Sequence, residues 1–313
     1  MNDGDSVNLI NKVSKVEKIK RLQSVTQFNQ QRGQETLHPL ITVLDQSKSC
    51  EITPVRFVSE LYIVFFKEEK CADMRYGRSH YDYQNESVIF IAPNQMAGFD
   101  EPGVVIRPNG WALAFHPDFI KGTALARAIR DYHFFSYGSK EALHVSEREK
   151  KILLECFEKI SYELGHPIDK HSKKLVISSL EMLLNYCERF YDRQFTTRQE
   201  VNKGMLTRFE ESINDYFDSG KAATLGLPTV AHFANELHLS PGYFGDLIKR
   251  ETGTSPQEYI QNKLIDLAKE RFFQDSRSIS EIAYELGFKY PQHLTRLFKK
   301  KVGRTPQQYR IRQ

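Results

Sequence analysis

TVAHFANELHLSPGYFGDLIKRETGTSPQEYI, residues Thr229–Ile260, is followed by SISEIAYELGFKYPQHLTRLFKKKVGRTPQQYR, Ser278–Arg310, and the two are one pattern written twice. Val230, Ala234 and Leu237 recur as Ile279, Ala283 and Leu286, 49 positions on. Phe244, Leu247, Ile248, Lys249, Gly253, Pro256 and Tyr259 recur as Leu294, Leu297, Phe298, Lys299, Gly303, Pro306 and Tyr309, 50 positions on. The slip of one residue falls between two predicted helices, where a turn absorbs it. Ser255, Ser278 and Thr305 each precede Glu or Gln by three residues, the pattern of a capping box. Ser240-Pro241, Ser255-Pro256 and Thr305-Pro306 put proline at a first helical position. Gly287 supplies a left-handed stop where the first copy has His238. Helices are therefore predicted near 230–237, 241–251, 257–273, 279–286, 291–301 and 306–311.

In each copy the second helix carries an apolar trio at spacings of three and four: Phe244, Leu247 and Ile248, then Leu294, Leu297 and Phe298. Such a trio lies on one face and packs on a partner helix. Ala234 and Ala283 stand where two helices approach closely. The opposite face is left to solvent. In the second copy it offers Lys289, Pro291, Gln292, His293, Thr295, Arg296, Lys299 and Lys300, and in the first Ser240, Gly242, Tyr243, Gly245, Asp246 and Lys249. Arg reaches guanine O6 and N7, Gln reaches adenine N6 and N7, and Thr meets a thymine methyl or a phosphate. The lysine run 299–301 suits phosphates, with binding that falls as salt rises. His293 and Tyr243 have an alternative each, as a surface or capping residue and as a packing residue. Asp246 repels phosphate but can accept from cytosine N4, so the second copy is expected to supply more of the specificity. From Thr229 onward there are 14 Lys and Arg against 9 Asp and Glu, while the rest of the chain is nearly balanced, which suits a polyanionic partner for the repeat.

These tandem units resemble the AraC/XylS family of bacterial transcription regulators. The resemblance is carried by AxELxLSPxYF and LIKRxTGTSPQEYI in the first copy and by IAYELGF, HLTRLFKK and GRTPQQYR in the second, and it covers about Leu227 to Arg310. It implies two helix-turn-helix subdomains joined by a long helix, here Pro256 to Phe273, which sets the two recognition helices about 34 Å apart on one side of a DNA duplex. It also implies double-stranded DNA as partner, a homodimer, a small-molecule effector, contact with RNA polymerase and a cytoplasmic location in a bacterium. Asp246 departs from the family, whose members often have Arg there.

Ahead of the repeat the texture changes twice. Met1–Gln34 is polar, with an amphipathic helix predicted over Val16–Phe28. From Leu37 to Phe115 come the runs LITVL, YIVFF, SVIFI and WALAF between turn-formers, which read as strands of a sandwich or small barrel. After Phe119 the period is helical, with amphipathic helices over 147–164 and 173–191 and a further one over 206–217. The expected fold is α+β and multidomain: an extension over 1–34, a cupin-like barrel with trailing helices over 35–195, a linker and linker helix over 196–226, and an all-α double helix-turn-helix over 227–313. The cupin-like part rests on a weaker resemblance, carried by SVIFIAPNQ and GWALAFHPDFI. Tyr62, Arg75, Tyr81, Tyr83 and Trp111 are its candidate ligand-binding residues. Leu153, Phe157, Leu180 and Leu184 are candidates for a dimer face, with packing inside one chain as the alternative.

Other classes find less support. No stretch of about 18 apolar residues predicts a membrane span, and no apolar segment follows the N-terminal lysines as in a secretory signal. Cys50, Cys71, Cys156 and Cys187 have no metal or redox spacing and read as reduced thiols. A metal-dependent cupin enzyme fused to a DNA-binding module is the alternative function. It would need two histidines, with His80 and His116 the isolated candidates, to converge with a carboxylate, while His38 before Pro39 reads as the end of a strand. No cofactor and no nucleophile motif is read from the chain.

Overall fold

The computed structural model describes residues 19–52, 56–68, 75–76, 86–98, 105–138, 141–197, 199–274 and 277–311. Contacts divide the chain into two units: Met1–Arg127 with Lys150–Leu180, and Ala128–Glu149 with Glu181–Gln313.

The first unit contains strands β1 (Lys20–Leu22), β2 (Ile41–Asp45), β3 (Phe57–Ser59), β4 (Tyr62–Lys67), β5 (Arg75–Tyr76), β6 (Ser87–Ile91), β7 (Met96–Gly98) and β8 (Trp111–Phe115). It also holds the short helices α1 (Val25–Gln30), α2 (Pro117–Ile120) and α3 (Ala124–Ala128), the last running into the second unit. One sheet has the order β1-β3-β7-β5, with β1 and β3 parallel; the other includes β2-β8-β4-β6 in that order, these strands paired antiparallel. The expected helix over 16–28 is corrected in its described part. Lys20–Leu22 pairs as a strand with Phe57–Ser59, and the helix starts only after Ser24, whose hydroxyl accepts from the Gln27 amide.

Strand alternation assigns the sheet faces. Tyr62, Val64 and Phe66 lie opposite Phe115, Leu113 and Trp111. This face packs on α4 (Glu147–Leu164), where Phe157 meets Phe66 at 6.5 Å and Trp111 at 6.0 Å. Ile63 and Phe65, opposite Ala114 and Ala112, look the other way, toward Phe28 of α1. Arg32 lies there too, its guanidinium 3.7 Å from the Phe28 ring centre.

α4 and α5 (Ser172–Thr197) run from one unit into the other. Leu153, Phe157, Leu180 and Leu184, candidates for a dimer face, are fully buried within the protomer. The correction has a plain cause: the densest part of each apolar stripe fills the core. The exposed apolar residues of this hairpin are Tyr162, Ile168 and Leu175.

From residue 199 onward the second unit is helical: α6 (Gln199–Asp218), α7 (Lys221–Leu225), α8 (Val230–Glu236), α9 (Pro241–Thr252), α10 (Pro256–Gln274), α11 (Ile279–Glu285), α12 (Pro291–Val302) and α13 (Pro306–Ile311). A sheet-bearing N-terminal region is thus followed by an all-helical C-terminal region. Ser278 and Glu281 close a reciprocal capping box, and so do Thr305 and Gln308. At Ser255 only the hydroxyl half forms; the Glu258 carboxylate takes Lys301 instead. The register slip sits between α8 and α9 in one copy and α11 and α12 in the other, where four and five residues intervene. His238 and Gly287 both have positive φ, 58° and 91°. Gly287 is the more constrained, since a Cβ there would lie 2.7 Å from the Gly226 carbonyl carbon and 2.9 Å from the Ala222 oxygen.

Residues 196–226 are more than a linker. Phe209 of α6 is fully buried and meets Phe233 of α8, Phe244 of α9 and Tyr259 of α10 at 5.3, 4.9 and 5.6 Å. Gly226, just after α7, abuts Gly287. The sequence between the domains therefore builds part of the helix-turn-helix core.

Candidate nucleic-acid interface

The two second helices share a core logic and differ in what covers their outer faces. In α9, Phe244, Leu247 and Ile248 are buried as the spacing predicts. In α12, Leu294 and Phe298 are buried and Leu297 is only half-buried. Ala234 and Ala283 are completely buried at the helix crossings.

On α12 the remaining positions form an open basic face. Gln292, His293, Arg296, Lys299 and Lys300 are exposed, at spacings that return to one side of the helix each turn. None of the three cations makes an ion pair among the described residues. Lys289 and Tyr290 are exposed just before the helix, with the lysine nitrogen 5.6 Å from the ring centre. Pro291 occupies the first turn. Thr295 is half-buried and its hydroxyl donates back to the Pro291 carbonyl at 3.3 Å. Lys301, the third lysine of the run, is engaged: it bonds Glu258 at 2.8 Å and holds that carboxyl below its usual range. Arg310 is structural, donating to the Phe272 and Arg277 carbonyls at 3.1 and 2.9 Å.

On α9 the outer face is covered from within the same unit. Tyr243 is only 6% exposed, stacked on Phe195 at 4.9 Å and edge-on to Tyr137 at 5.3 Å. Asp246 accepts from the Tyr137 hydroxyl at 2.7 Å and pairs with His133 Nδ1 at 2.9 Å. Burial, and then the charge of Asp246, drives the Tyr137 hydroxyl above its ordinary pKa. The backbone N–H of Ser240 donates to Glu141 Oε1 at 2.8 Å. Gly242 lies against Ser136, and a Cβ would fall 2.3 Å from the serine oxygen. Arg250 is bound to Asp192 and lies over the Phe195 ring at 4.9 Å. Lys249 remains exposed beside a cavity of about 390 Å³ that Tyr191 and Glu188 also line. Of the first copy's candidates, then, Tyr243 is buried, and Ser240, Gly242 and Asp246 are half-buried against protein. His133, Ser136, Tyr137 and Glu141 carried no sequence signal, because each meets its partner about a hundred residues away.

Over residues 233–312 the sequence matches the helix-turn-helix domain family. The chain is 25% identical over 167 residues to YijO of Escherichia coli strain K12, an uncharacterised HTH-type transcriptional regulator, covering 53% of this chain and 55% of that protein. It is 30% identical over 139 residues to the similarly described YfiF of Bacillus subtilis strain 168, covering 44% and 41%.

The C-terminal part of this chain is an AraC-type helix-turn-helix domain.

The chain spans about half or less of the length of these curated relatives. Among solved structures, the C-terminal domain of AraT, a response regulator from Geobacillus stearothermophilus, is 27% identical, covering 35% of this chain and 85% of that one with a TM-score of 0.31. Within the AraC-type domain, α8–α9 and α11–α12 are the two helix-turn-helix pairs and α10 joins them.

Of the candidate ligand residues of the first unit, Tyr62 and Trp111 are the two whose side chains fall among the described residues. Tyr62, stacked on Phe115 at 5.0 Å, and Trp111, stacked on Phe157, share the sheet face that α4 covers. Alternation thus turns them away from the side where Phe65 and Arg32 lie. Arg75 is in β5, and Tyr81 and Tyr83 fall outside the described residues. The histidines considered for a metal have local tasks. His38 accepts from the Leu40 amide and packs on Phe119, and His116 caps α2. His80 is outside the described residues, and among those described no group of three or more His, Cys, Asp or Glu is gathered to hold a metal.

Proposed function

We propose that this protein is a sequence-specific, double-stranded-DNA-binding transcription regulator. The observation that carries the reading is the open face of α12, where Gln292, Arg296, Lys299 and Lys300 stand exposed on a helix whose other side is locked into an AraC-type core. A helix of this width enters a major groove, where arginine and glutamine discriminate base edges and lysines hold phosphates. Lys289, His293 and Thr295 flank that reading row. Selection of bound duplexes from a random-sequence pool tests the proposal directly, because a regulator of this kind enriches one motif. Arg296→Ala is expected to cost about 1–3 kcal/mol of affinity for that motif and to relax preference at one base pair. Failure to enrich any sequence, by the parent chain and by variants with an unobstructed α9 alike, would falsify it.

Control through the first unit belongs to the same proposal, by a small molecule or by pairing of two copies. The exposed apolar residues Tyr162, Ile168 and Leu175 of the α4–α5 hairpin support pairing there, in place of the buried leucines. Sedimentation of the chain with Tyr162→Glu and Leu175→Glu checks this, with a shift from dimer to monomer expected.

A further inference from the structure

We infer that the DNA-reading face of α9 is a docking surface for the chain's own residues 133–138 and Glu141, so that these residues and duplex DNA compete for one helix. The inference rests on the DNA-binding function proposed above and adds to it a closed state in which only the second helix-turn-helix is open.

The contacts fall on the outer face of α9 and not on its core side. Phe244, Leu247 and Ile248 are committed to the helix-turn-helix core, whereas Ser240, Gly242, Tyr243 and Asp246 meet the segment. A tyrosine 6% exposed between two aromatic rings cannot touch a base edge, and a carboxylate held by Tyr137 and His133 is already turned to protein donors.

The fit is also chemically matched to the ligand it displaces. A recognition-helix N-terminus donates backbone N–H groups to DNA phosphates. Here the Ser240 N–H points at the Glu141 carboxylate, which is 3% exposed and whose other oxygen takes the Gly138 N–H. In α11 the corresponding amide is served from inside the helix, by Glu281 on Ser278. In α9 the third helical position is Tyr243, which offers no acid, and a carboxylate 99 residues distant fills the place. Glu141 thus occupies the position of a phosphate. Gly242 completes the fit, since any side chain there would strike Ser136, while Gly245, one turn along, has open space around its Cβ position. Among the described residues nothing covers the outer face of α12 in the same way.

If the closed form dominates, apparent DNA affinity is reduced by the fraction of molecules with α9 free. Two changes to the full chain test this in opposite directions. His133→Ala with Tyr137→Phe removes the bonds to Asp246, keeps the ring that packs on Tyr243, and alters nothing in the helix-turn-helix pairs. Ser136→Cys with Gly242→Cys, in a chain whose Cys50 and Cys71 are serine, places two Cβ atoms about 3.2 Å apart, near disulfide range. The probe is a duplex selected with both the parent chain and the His133→Ala/Tyr137→Phe variant. At least tenfold tighter binding by that variant is expected, and at least tenfold weaker binding by the oxidised cysteine pair, reversed on reduction of the same sample. If all forms bind the selected duplex equally, the contact is compatible with DNA and the inference fails while the proposed function stands. If no duplex is selected by either protein, the proposed function fails and the inference with it.

Discussion

Glycine at 287 and histidine at 238 do the same turn in the two copies, yet they are not interchangeable. Both sit at positive φ, but only Gly287 faces a backbone at less than van der Waals distance. Gly287→Ala is expected to destabilise the helical unit by roughly 1–3 kcal/mol through backbone strain and the clash with Gly226, read as a lower thermal midpoint. Ser278→Ala, which opens the capping box on α11, should cost about 1 kcal/mol by the same measurement. Such residues were legible in advance because caps and left-handed turns are local. Asp246 was not. Its type suggested a weak base contact, whereas its partners Tyr137 and His133 come from a remote stretch with no local mark.

At the scale of elements, the repeat defines its helices nearly to the residue. Pro241, Pro256, Pro291 and Pro306 each open one, and Gly253 and Gly303 end two at φ of 74° and 81°. The strand runs were equally readable, since YIVFF, SVIFI and WALAF became β4, β6 and β8. Which side of a strand faces what was not readable, because alternation gives two equivalent choices until a helix covers one. Phe157 made that choice for Trp111 and Phe66. The two recognition helices, alike in core, differ in electrostatic freedom. Among the described residues Lys299 and Lys300 make no ion pair, while Lys301 is held by Glu258. Lys299→Ala with Lys300→Ala should therefore lower the slope of log affinity against log salt by roughly 0.9 per lysine, with little change in preferred sequence. Lys301→Ala should leave that slope nearly unchanged.

For the molecule as a whole, the decisive fact is that the helix-turn-helix core extends beyond the repeat. Phe209 lies upstream of the duplicated segment and is buried among Phe233, Phe244 and Tyr259. Phe209→Ala should cost about 3–5 kcal/mol, and chemical denaturation should show the loss in the helical unit. The helix-turn-helix duplication, its caps, the inward and outward faces of its helices and a sheet-bearing region ahead of it are all written in the order of residues. Those features depend on periodicity and on bonds spanning three or four residues, so a linear reading captures them. Packing in three dimensions is what makes α6 part of the core, puts Leu153, Phe157, Leu180 and Leu184 inside, and covers one recognition face while the other stays open among the described residues. Each of these depends on which surfaces meet across scores of residues, and burial of a given side chain is a property of the surface opposite it, which no local pattern encodes.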